Sequence, residues 1–174
     1  MPKQDIDLKD LIINNLSRTT KTMAVNYVIE NPEKLNLLWD WLNNAQDPLK
    51  WRSAWVFEEA CILNQELLQK YKDRIARLFP KLEHVPLRRM LGNIISKMEI
   101  PEAYESDILD AALTWLQDPK MPAAVRVHCM TIVFNLSKKY PELQQELKEI
   151  LHYNFDTGSA GFRNRAGKIL KKIA

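Results

Sequence analysis

Residues 118–136 read DPKMPAAVRVHCMTIVFNL, an acidic, proline-containing joint followed by a mostly apolar segment that opens on Arg126. The same phrase occurs four times along the chain, and its arginines are separated by 36, 38 and 37 residues. These repeated arginines are Arg52, Arg88, Arg126 and Arg163. A fixed period of roughly 20 to 50 residues is typical of stacked repeat proteins, and this period fits a helical hairpin. The sequence therefore predicts consecutive pairs of helices.

The first helix of each predicted pair is amphipathic. Residues 32–44, PEKLNLLWDWLNN, begin at a proline and place Leu35, Leu38, Trp39 and Leu42 on one face. That spacing follows the helical period of about 3.6 residues. Proline is favoured in the first turn of a helix, where its missing N–H is not needed. Equivalent first helices are predicted at 64–79, 101–116 and 141–153.

The second helix of each pair is apolar around most of its circumference, as in residues 51–63, 87–98 and 125–140. This is expected of a helix that is packed between its own partner and the neighbouring repeats. Residues 162–173 instead carry cations on one side, as suits a terminal repeat with no successor to cover it. An N-terminal pair at about 5–16 and 20–30 matches the phrase poorly, as terminal repeats commonly do.

The acid in the joint and the valine–arginine pair that follows it resemble the HEAT repeat family. Residues 118–136 carry this pattern and residues 47–63, DPLKWRSAWVFEEACIL, are similar, although Trp51 and Phe162 stand where the family has valine. The resemblance covers residues 32–174. It implies a right-handed α-solenoid, which we expect to be a single all-α domain over residues 1–174 with about five hairpins. It also implies a ladder of acids and arginines between adjacent repeats, since a guanidinium can join two carboxylates.

Composition places the chain among ordinary globular proteins, with 46% hydrophobic and 27% charged residues. No apolar run approaches the roughly 18 to 20 residues that span a bilayer, and the N-terminus does not resemble a secretory signal. Cys61 and Cys129 are interpreted as small buried hydrophobes of a reducing compartment. We therefore expect a cytoplasmic protein with no membrane partner. No pattern in the sequence specifies an oligomeric state.

The net charge of +3 is unevenly distributed along the chain. Residues 157–174 carry five cations and no acid, so the remaining residues have a net charge of −2. The resulting basic C-terminal patch consists of Arg163, Arg165, Lys168, Lys171 and Lys172. Such a patch can contact nucleic acid or an anionic surface. We favour a solvated cap face, because cations are also stabilised near the C-terminus of a helix.

Five tryptophans offer either core packing or stacking surfaces for nucleic acid bases. Large aromatic side chains at helical spacing are usually part of the core. We expect Trp39, Trp55 and Trp115 to belong to the core between repeats. Trp41 and Trp51 lie off the main stripe of their helices, so we expect them to be partly exposed.

No recognisable catalytic motif occurs: the sequence contains no HExxH, no CxxC, no phosphate-cradling glycine loop and no nucleophile elbow. We therefore predict no catalytic residue, no metal ligand and no cofactor site. Glu58 and Glu59 lie mid-helix in an apolar setting, where burial would raise the pKa of a carboxylate. A small-molecule enzyme with a site around Glu58, Glu59 and His128 is a third hypothesis, with no motif behind it.

The first functional hypothesis is a non-catalytic module that binds a protein or peptide along the concave surface lined by the second helices. We expect the contacts among Arg88, Arg89, Asn93, Lys97, Arg126, Asn135 and Glu59. The repeated arginines themselves are interpreted first as a structural ladder and second as a ligand site.

The alternative hypothesis is a nucleic-acid-binding protein related to the HEAT-like alkylpurine DNA glycosylases. Their catalytic positions cannot be matched residue by residue to this chain. Nucleic acid binding predicts one continuous cationic face made by Arg88, Arg89, Arg126, Arg163 and Lys168. The first hypothesis instead predicts mixed charge on that face, with Glu58 or Glu59 interrupting it.

Overall fold

The structure is a computed structural model that describes residues 6–14 and 17–173. These residues form ten α-helices and no β-strand, which confirms the predicted all-α fold. The helices are α1 Leu8–Asn14, α2 Arg18–Glu30, α3 Leu35–Asn44, α4 Leu49–Leu63, α5 Gln65–Leu78, α6 Val85–Ile95, α7 Glu105–Gln117, α8 Ala123–Ser137, α9 Leu143–Phe155 and α10 Ala160–Leu170. The ends of the predicted first helix, residues 5, 15 and 16, lie outside the described part of the chain.

Local sequence explains where several helices begin. Pro32 opens a short 3₁₀ turn, Pro32–Lys34, and the α-helix proper starts only at Leu35. Ser17 caps α2 through a reciprocal capping box with Thr20. The hydroxyl of Ser159 accepts a hydrogen bond from the Phe162 amide and so caps α10.

The chain divides into two compact units, residues 1–72 and residues 73–174, with the division inside α5. We call them unit 1 and unit 2 and describe each by itself. Organisation of the chain as one domain stays a prediction. None of the helices in residues 6–14 and 17–173 has the length and apolar character needed to cross a membrane.

Unit 1 is built around α4. Helices α1, α2 and α3 all pack against it, so this second helix lies at the centre of the unit. Phe57 is completely buried and lies between Trp39 and Tyr71, with ring centroids 5.4 Å from each. Trp39 and Tyr71 are themselves 5.5 Å apart. Three aromatic side chains thus pack the α3–α4 hairpin against the middle of α5.

Unit 2 is built around α8, which packs against α6, α7, α9 and α10. Nine of its 15 residues are buried, whereas α10 at the end of the chain buries only three of 11. This difference confirms the prediction that a middle second helix is enclosed and a terminal one is half solvated. Phe79 and Trp115 meet edge to face at 5.0 Å beside α6. Helices α6, α8 and α10 form a layer on which α7 and α9 pack.

Candidate functional site

Three of the four repeated arginines, Arg52, Arg88 and Arg126, donate hydrogen bonds to carbonyl oxygens of preceding segments. Arg52 donates hydrogen bonds from Nη1 to the carbonyl oxygens of Ile12, at 3.3 Å, and Ile13. Arg88 donates from Nε to the Leu82 carbonyl at 2.7 Å. The last carbonyls of a helix have no partner inside that helix, so a charged donor placed there satisfies them.

Arg126 makes the most extensive set of these contacts. Only 7% exposed, it donates from Nε to the Leu116 carbonyl at 2.8 Å and from Nη2 to Asn154 Oδ1 at 2.9 Å. Its guanidinium also lies 4.4 Å from the centroid of the Phe162 ring. Burial lowers the pKa of Arg126, while the nearby charge of Asp118 opposes that effect.

These contacts change the expected form of the ladder. Arg126 donates a hydrogen bond to Asn154 of the next hairpin, so its partner there is an amide rather than a carboxylate. Arg88 similarly lies over the Trp115 ring, 4.4 Å from its centroid. Both guanidinium groups thus bind main-chain carbonyls and aromatic rings within unit 2. We therefore leave Arg88 and Arg126 out of the binding surface that we propose below.

A different set of side chains meets where α6 packs on α8. A Cβ atom at Gly92 would lie 3.4 Å from the Cβ of His128, so the two helices approach closely there. One turn later on α6, the Ser96 carbonyl accepts a hydrogen bond from Asn135 Nδ2 at 2.9 Å. Both contacts advance in the same direction, and α6 and α8 therefore run parallel. The amide of Asn135, predicted as a ligand contact, joins the two helices.

The junction of α8 with α10 repeats this arrangement. Arg165 donates from Nε to Thr131 Oγ1 at 2.9 Å. The ammonium group of Lys172 lies 5.8 Å from the centroid of the Phe134 ring. Lys168 falls between these two contacts on the same flank of α10, because residues three and four apart lie above one another on a helix.

The three helices of this layer carry cations and no acid. Neither α6, α8 nor α10 contains a single Asp or Glu, and the same is true of the longer segments 85–97, 123–138 and 159–174. On the side that runs from α6 across α8 to α10, the structure brings together one set of polar side chains. We call this set the cationic face: Arg89, Lys97, His128, Arg165, Lys168 and Lys172.

The positive charge of this face affects the pKa of His128. Burial, together with the charges of Lys97, Arg89 and Arg165, lowers the pKa of its imidazole to about 4. Two of these cations belong to the α6 side and one to α10. The imidazole is therefore neutral at pH 7, and the neighbouring cations favour this neutral form.

The predicted basic C-terminal patch is divided between two sides of α10. Arg165, Lys168 and Lys172 lie on the flank that contacts α8. Arg163 lies two residues before Arg165, about 160° around the helix, and so lies on the opposite flank, whereas Lys171 lies between the two flanks; both are exposed. The patch is therefore not one surface, and only part of it contributes to the cationic face.

Glu59 belongs to unit 1, and its carboxylate forms an ion pair with Lys21 of α2. The same ammonium group lies 4.1 Å from the centroid of the half-buried Trp55 ring, which in turn lies 6.2 Å from Trp51. Glu58 is buried, at 8% exposed. Trp115 is buried as predicted, Trp41 and Trp51 are partly exposed as predicted, and Trp39 and Trp55 are half-buried rather than fully enclosed.

A pocket of about 380 Å³ lies in unit 2 between the start of α7 and the joint between α8 and α9. Lys139 contacts both carboxylate oxygens of Glu105 at 3.1 Å, and the Tyr140 hydroxyl donates to Glu105 at 2.6 Å. Two of the polar side chains that line the pocket, Glu105 and Tyr140, thus bind each other. Within residues 6–14 and 17–173, no three His, Cys, Asp or Glu side chains are grouped so as to hold a metal ion.

The cationic face was only partly predicted from the sequence. The sequence predicts Arg89, Lys97 and the C-terminal cations as surface contacts, but it does not identify His128 as part of this surface, and Asn93 is half-buried on α6. The signal that identifies the face is the complete lack of acids in three successive second helices, which becomes informative once those helices are known to be neighbours.

In a comparison with known protein families, the family model described as HEAT repeat domain matches residues 9–173. Comparison with curated proteins and with solved structures found no match.

Proposed function

The chain belongs to the HEAT repeat family, and from that premise we propose that it is a non-catalytic interaction module that binds a protein or peptide at the cationic face of unit 2. The observation that carries this proposal is the alignment of polar side chains across three parallel-packed second helices. A layer of helices offers extended area rather than a deep cavity, and extended area suits a macromolecular partner better than a small substrate.

The nucleic acid hypothesis finds less support in the same geometry. It requires Arg88 and Arg126 to lie on one face with Arg89, whereas both donate to main-chain carbonyls and stack on aromatic rings. Phe134 and Phe162 are the aromatic residues of α6, α8 and α10, and both are buried, at 8% and 0% exposed. Base stacking on exposed aromatic rings supplies much of single-strand affinity, and this layer does not provide it.

The experiment that tests the proposal is selection of binders from a display library of random 16-residue peptides. Gly161 and Gly167 of α10 provide a matched pair of blocking sites, since a Cβ at either position meets no atom within 4 Å. Gly161 lies on the flank of the cationic face, and Gly167 lies on the opposite flank. Tryptophan at position 161 therefore obstructs the face, and tryptophan at position 167 does not.

We expect enriched peptides to lose at least about tenfold in affinity with Gly161→Trp and to bind Gly167→Trp like the wild type, since only the first substitution excludes a partner sterically. Circular dichroism of both variants checks that the helix content is unchanged. Failure to enrich any peptide, or equal binding to both variants, would overturn the proposal.

A further inference from the structure

We infer that the partner segment bound at the cationic face is acidic, a stretch of peptide rich in aspartate and glutamate. This inference rests on the proposed function and adds the chemistry of the partner to it. Its support is the distribution of charge over unit 2, the fixed position of one guanidinium, and the dimensions of the helical layer.

The positive charge of the cationic face does not follow from the overall composition of the chain. The whole chain has a net charge of only +3, and unit 2 contains acidic helices: α7 carries Glu105, Asp107 and Asp110 and no cation. The acids of unit 2 therefore lie on the first helices and in the joints between helices, and none lies on α6, α8 or α10. Sorting of this kind concentrates positive potential on one side, which attracts an anionic partner and repels a cationic one.

One cation of the face is held in place before any ligand binds. The hydrogen bond from Arg165 Nε to Thr131 Oγ1 uses one of the guanidinium donors and fixes the plane of the group against α8. The Nη1 and Nη2 amino groups are the donors that bind a carboxylate in two parallel hydrogen bonds. A guanidinium that is already oriented loses less conformational entropy when it binds such a group.

The exposed lysines complete the electrostatic footprint. Lys97 lies just beyond the end of α6, and Lys168 lies on the α8 flank of α10; both are exposed. Neighbouring helices pack about 8 to 10 Å apart, so the face extends roughly 16 to 20 Å from α6 to α10. An extended peptide rises about 3.3 Å per residue, and about six residues therefore reach across the three helices.

These dimensions favour a short acidic peptide over nucleic acid. Half a dozen residues present several carboxylates to the five strongly basic side chains of the face, Arg89, Lys97, Arg165, Lys168 and Lys172. Nucleic acid would have to bind through its phosphates alone, since the aromatic residues of this layer are buried. Phosphate contacts without stacking give weak binding that falls steeply with salt.

The test uses a fluorescein-labelled 12-residue peptide in which Glu and Asp alternate with Gly and Ser. Matched probes replace the acids with Gln and Asn, or with Lys and Arg, and two further probes are a 12-nucleotide single strand and a 20-base-pair duplex. Binding to the full chain is measured by fluorescence anisotropy at about 50 and 150 mM salt, where charge contacts are screened to different extents.

The decisive variant is Lys97→Glu/Lys168→Glu, and its control is Lys81→Glu/Lys120→Glu. All four lysines are exposed residues of unit 2, but Lys81 and Lys120 precede α6 and α8 and do not belong to the cationic face. The two double variants therefore change the net charge equally. We expect the first to weaken the acidic peptide by at least about tenfold and to gain affinity for the basic peptide, while the control changes binding by less than about twofold.

The outcomes separate this inference from the proposed function. If Gly161→Trp blocks displayed peptides that carry no excess of acid, the proposed function stands and the acidic partner is overturned. Equal binding of the acidic and the Gln/Asn peptides would overturn it as well. Tighter binding of DNA than of the acidic peptide, lost in Lys97→Glu/Lys168→Glu, would overturn it in favour of nucleic acid.

Discussion

The guanidinium of Arg126 donates through Nη2 to Oδ1 of Asn154 at 2.9 Å, and it thereby joins one hairpin of unit 2 to the next. Asn154 is oriented by a second hydrogen bond, from its Nδ2 to the Ile150 carbonyl at 2.9 Å. Both side chains are buried, at 7% and 8% exposed. A buried donor and a buried acceptor that satisfy each other make removal of either one costly.

Replacement of Arg126 by methionine should destabilise unit 2 by about 2 to 4 kcal/mol, because it leaves the Leu116 carbonyl and Asn154 Oδ1 without their donor. The free energy of unfolding is measured by urea titration. The control is Arg163→Met, the equivalent position of the last repeat, where the exposed side chain should account for no more than about 0.5 kcal/mol.

A double-mutant cycle of Arg126→Met with Asn154→Ala isolates the pair. We expect a coupling energy of about 1 to 2 kcal/mol, typical of a hydrogen bond with one charged partner. Additive effects of the two substitutions would show that the contact contributes nothing beyond the packing of each side chain.

The repeat architecture was predictable because its signals are local. Prolines in the joints, the amphipathic first helices and the recurring arginine each follow from a few neighbouring residues, and the predicted pairs correspond to α3 through α10. The different orientations of the Arg88 and Arg89 side chains were not predictable in this way. The two residues are adjacent in sequence but about 100° apart on the helix, so the packing of α6 determines that one turns inward and the other toward the cationic face.

The basic C-terminal patch shows the same limit of local reasoning. A count of charges along residues 157–174 gives one cluster, whereas the helix places Arg163 and Arg165 on opposite flanks. Which flank contacts α8 depends on tertiary packing, through Arg165 with Thr131 and Lys172 with Phe134. The absence of Asp and Glu from α6, α8 and α10 can be read from the sequence. That this absence produces one cationic face follows only once the three helices are known to be neighbours.

Two glycines near the end of the chain should respond in opposite ways to substitution by alanine. A Cβ at Gly167 meets no atom within 4 Å, and glycine inside a helix is unfavourable. Gly167→Ala should therefore stabilise the protein by about 0.5 to 1 kcal/mol. A Cβ at Gly158 would lie 2.6 Å from Cδ1 of the completely buried Phe162 ring. Gly158→Ala should destabilise it by about 1 to 3 kcal/mol.

Thermal and urea unfolding of the two alanine variants measure these effects. Because Phe162 also contacts the Arg126 guanidinium, displacement of its ring in Gly158→Ala should reduce the Arg126–Asn154 coupling energy as well. Equal stability of both variants would contradict the packing assigned to Phe162.

Both cysteines should resist alkylation while the protein is folded. Cys61 and Cys129 are free and buried, and burial raises the pKa of each thiol to about 12. Because only the thiolate is nucleophilic, labelling by iodoacetamide at pH 8 should be far slower than for an exposed cysteine. Intact-mass spectrometry measures the labelling, and added urea should accelerate it in parallel with unfolding. Rapid modification of either thiol in the native protein would show that its helix opens locally.

His128 should make the folded protein less stable as the pH falls below neutrality. Its native pKa is lowered to about 4 by burial and by the charges of Lys97, Arg89 and Arg165, whereas an unfolded histidine titrates near 6.5. Between these values the unfolded chain binds a proton that the native protein does not, so stability is lost as pH decreases through this window. For this one group the loss from pH 7 to pH 5 amounts to about 2 kcal/mol.

The control for this effect is His128→Gln, which keeps a polar side chain of similar size and does not titrate. The carboxylates contribute equally to wild type and variant, so the difference between their urea unfolding free energies at pH 7 and pH 5 isolates His128. NMR titration of the imidazole gives its native pKa directly, and saturation with the acidic peptide should raise that value because the bound carboxylates favour the imidazolium. An unchanged difference between the two proteins, together with an imidazole that titrates near 6.5, would contradict the location of His128 among the cations of α6 and α10.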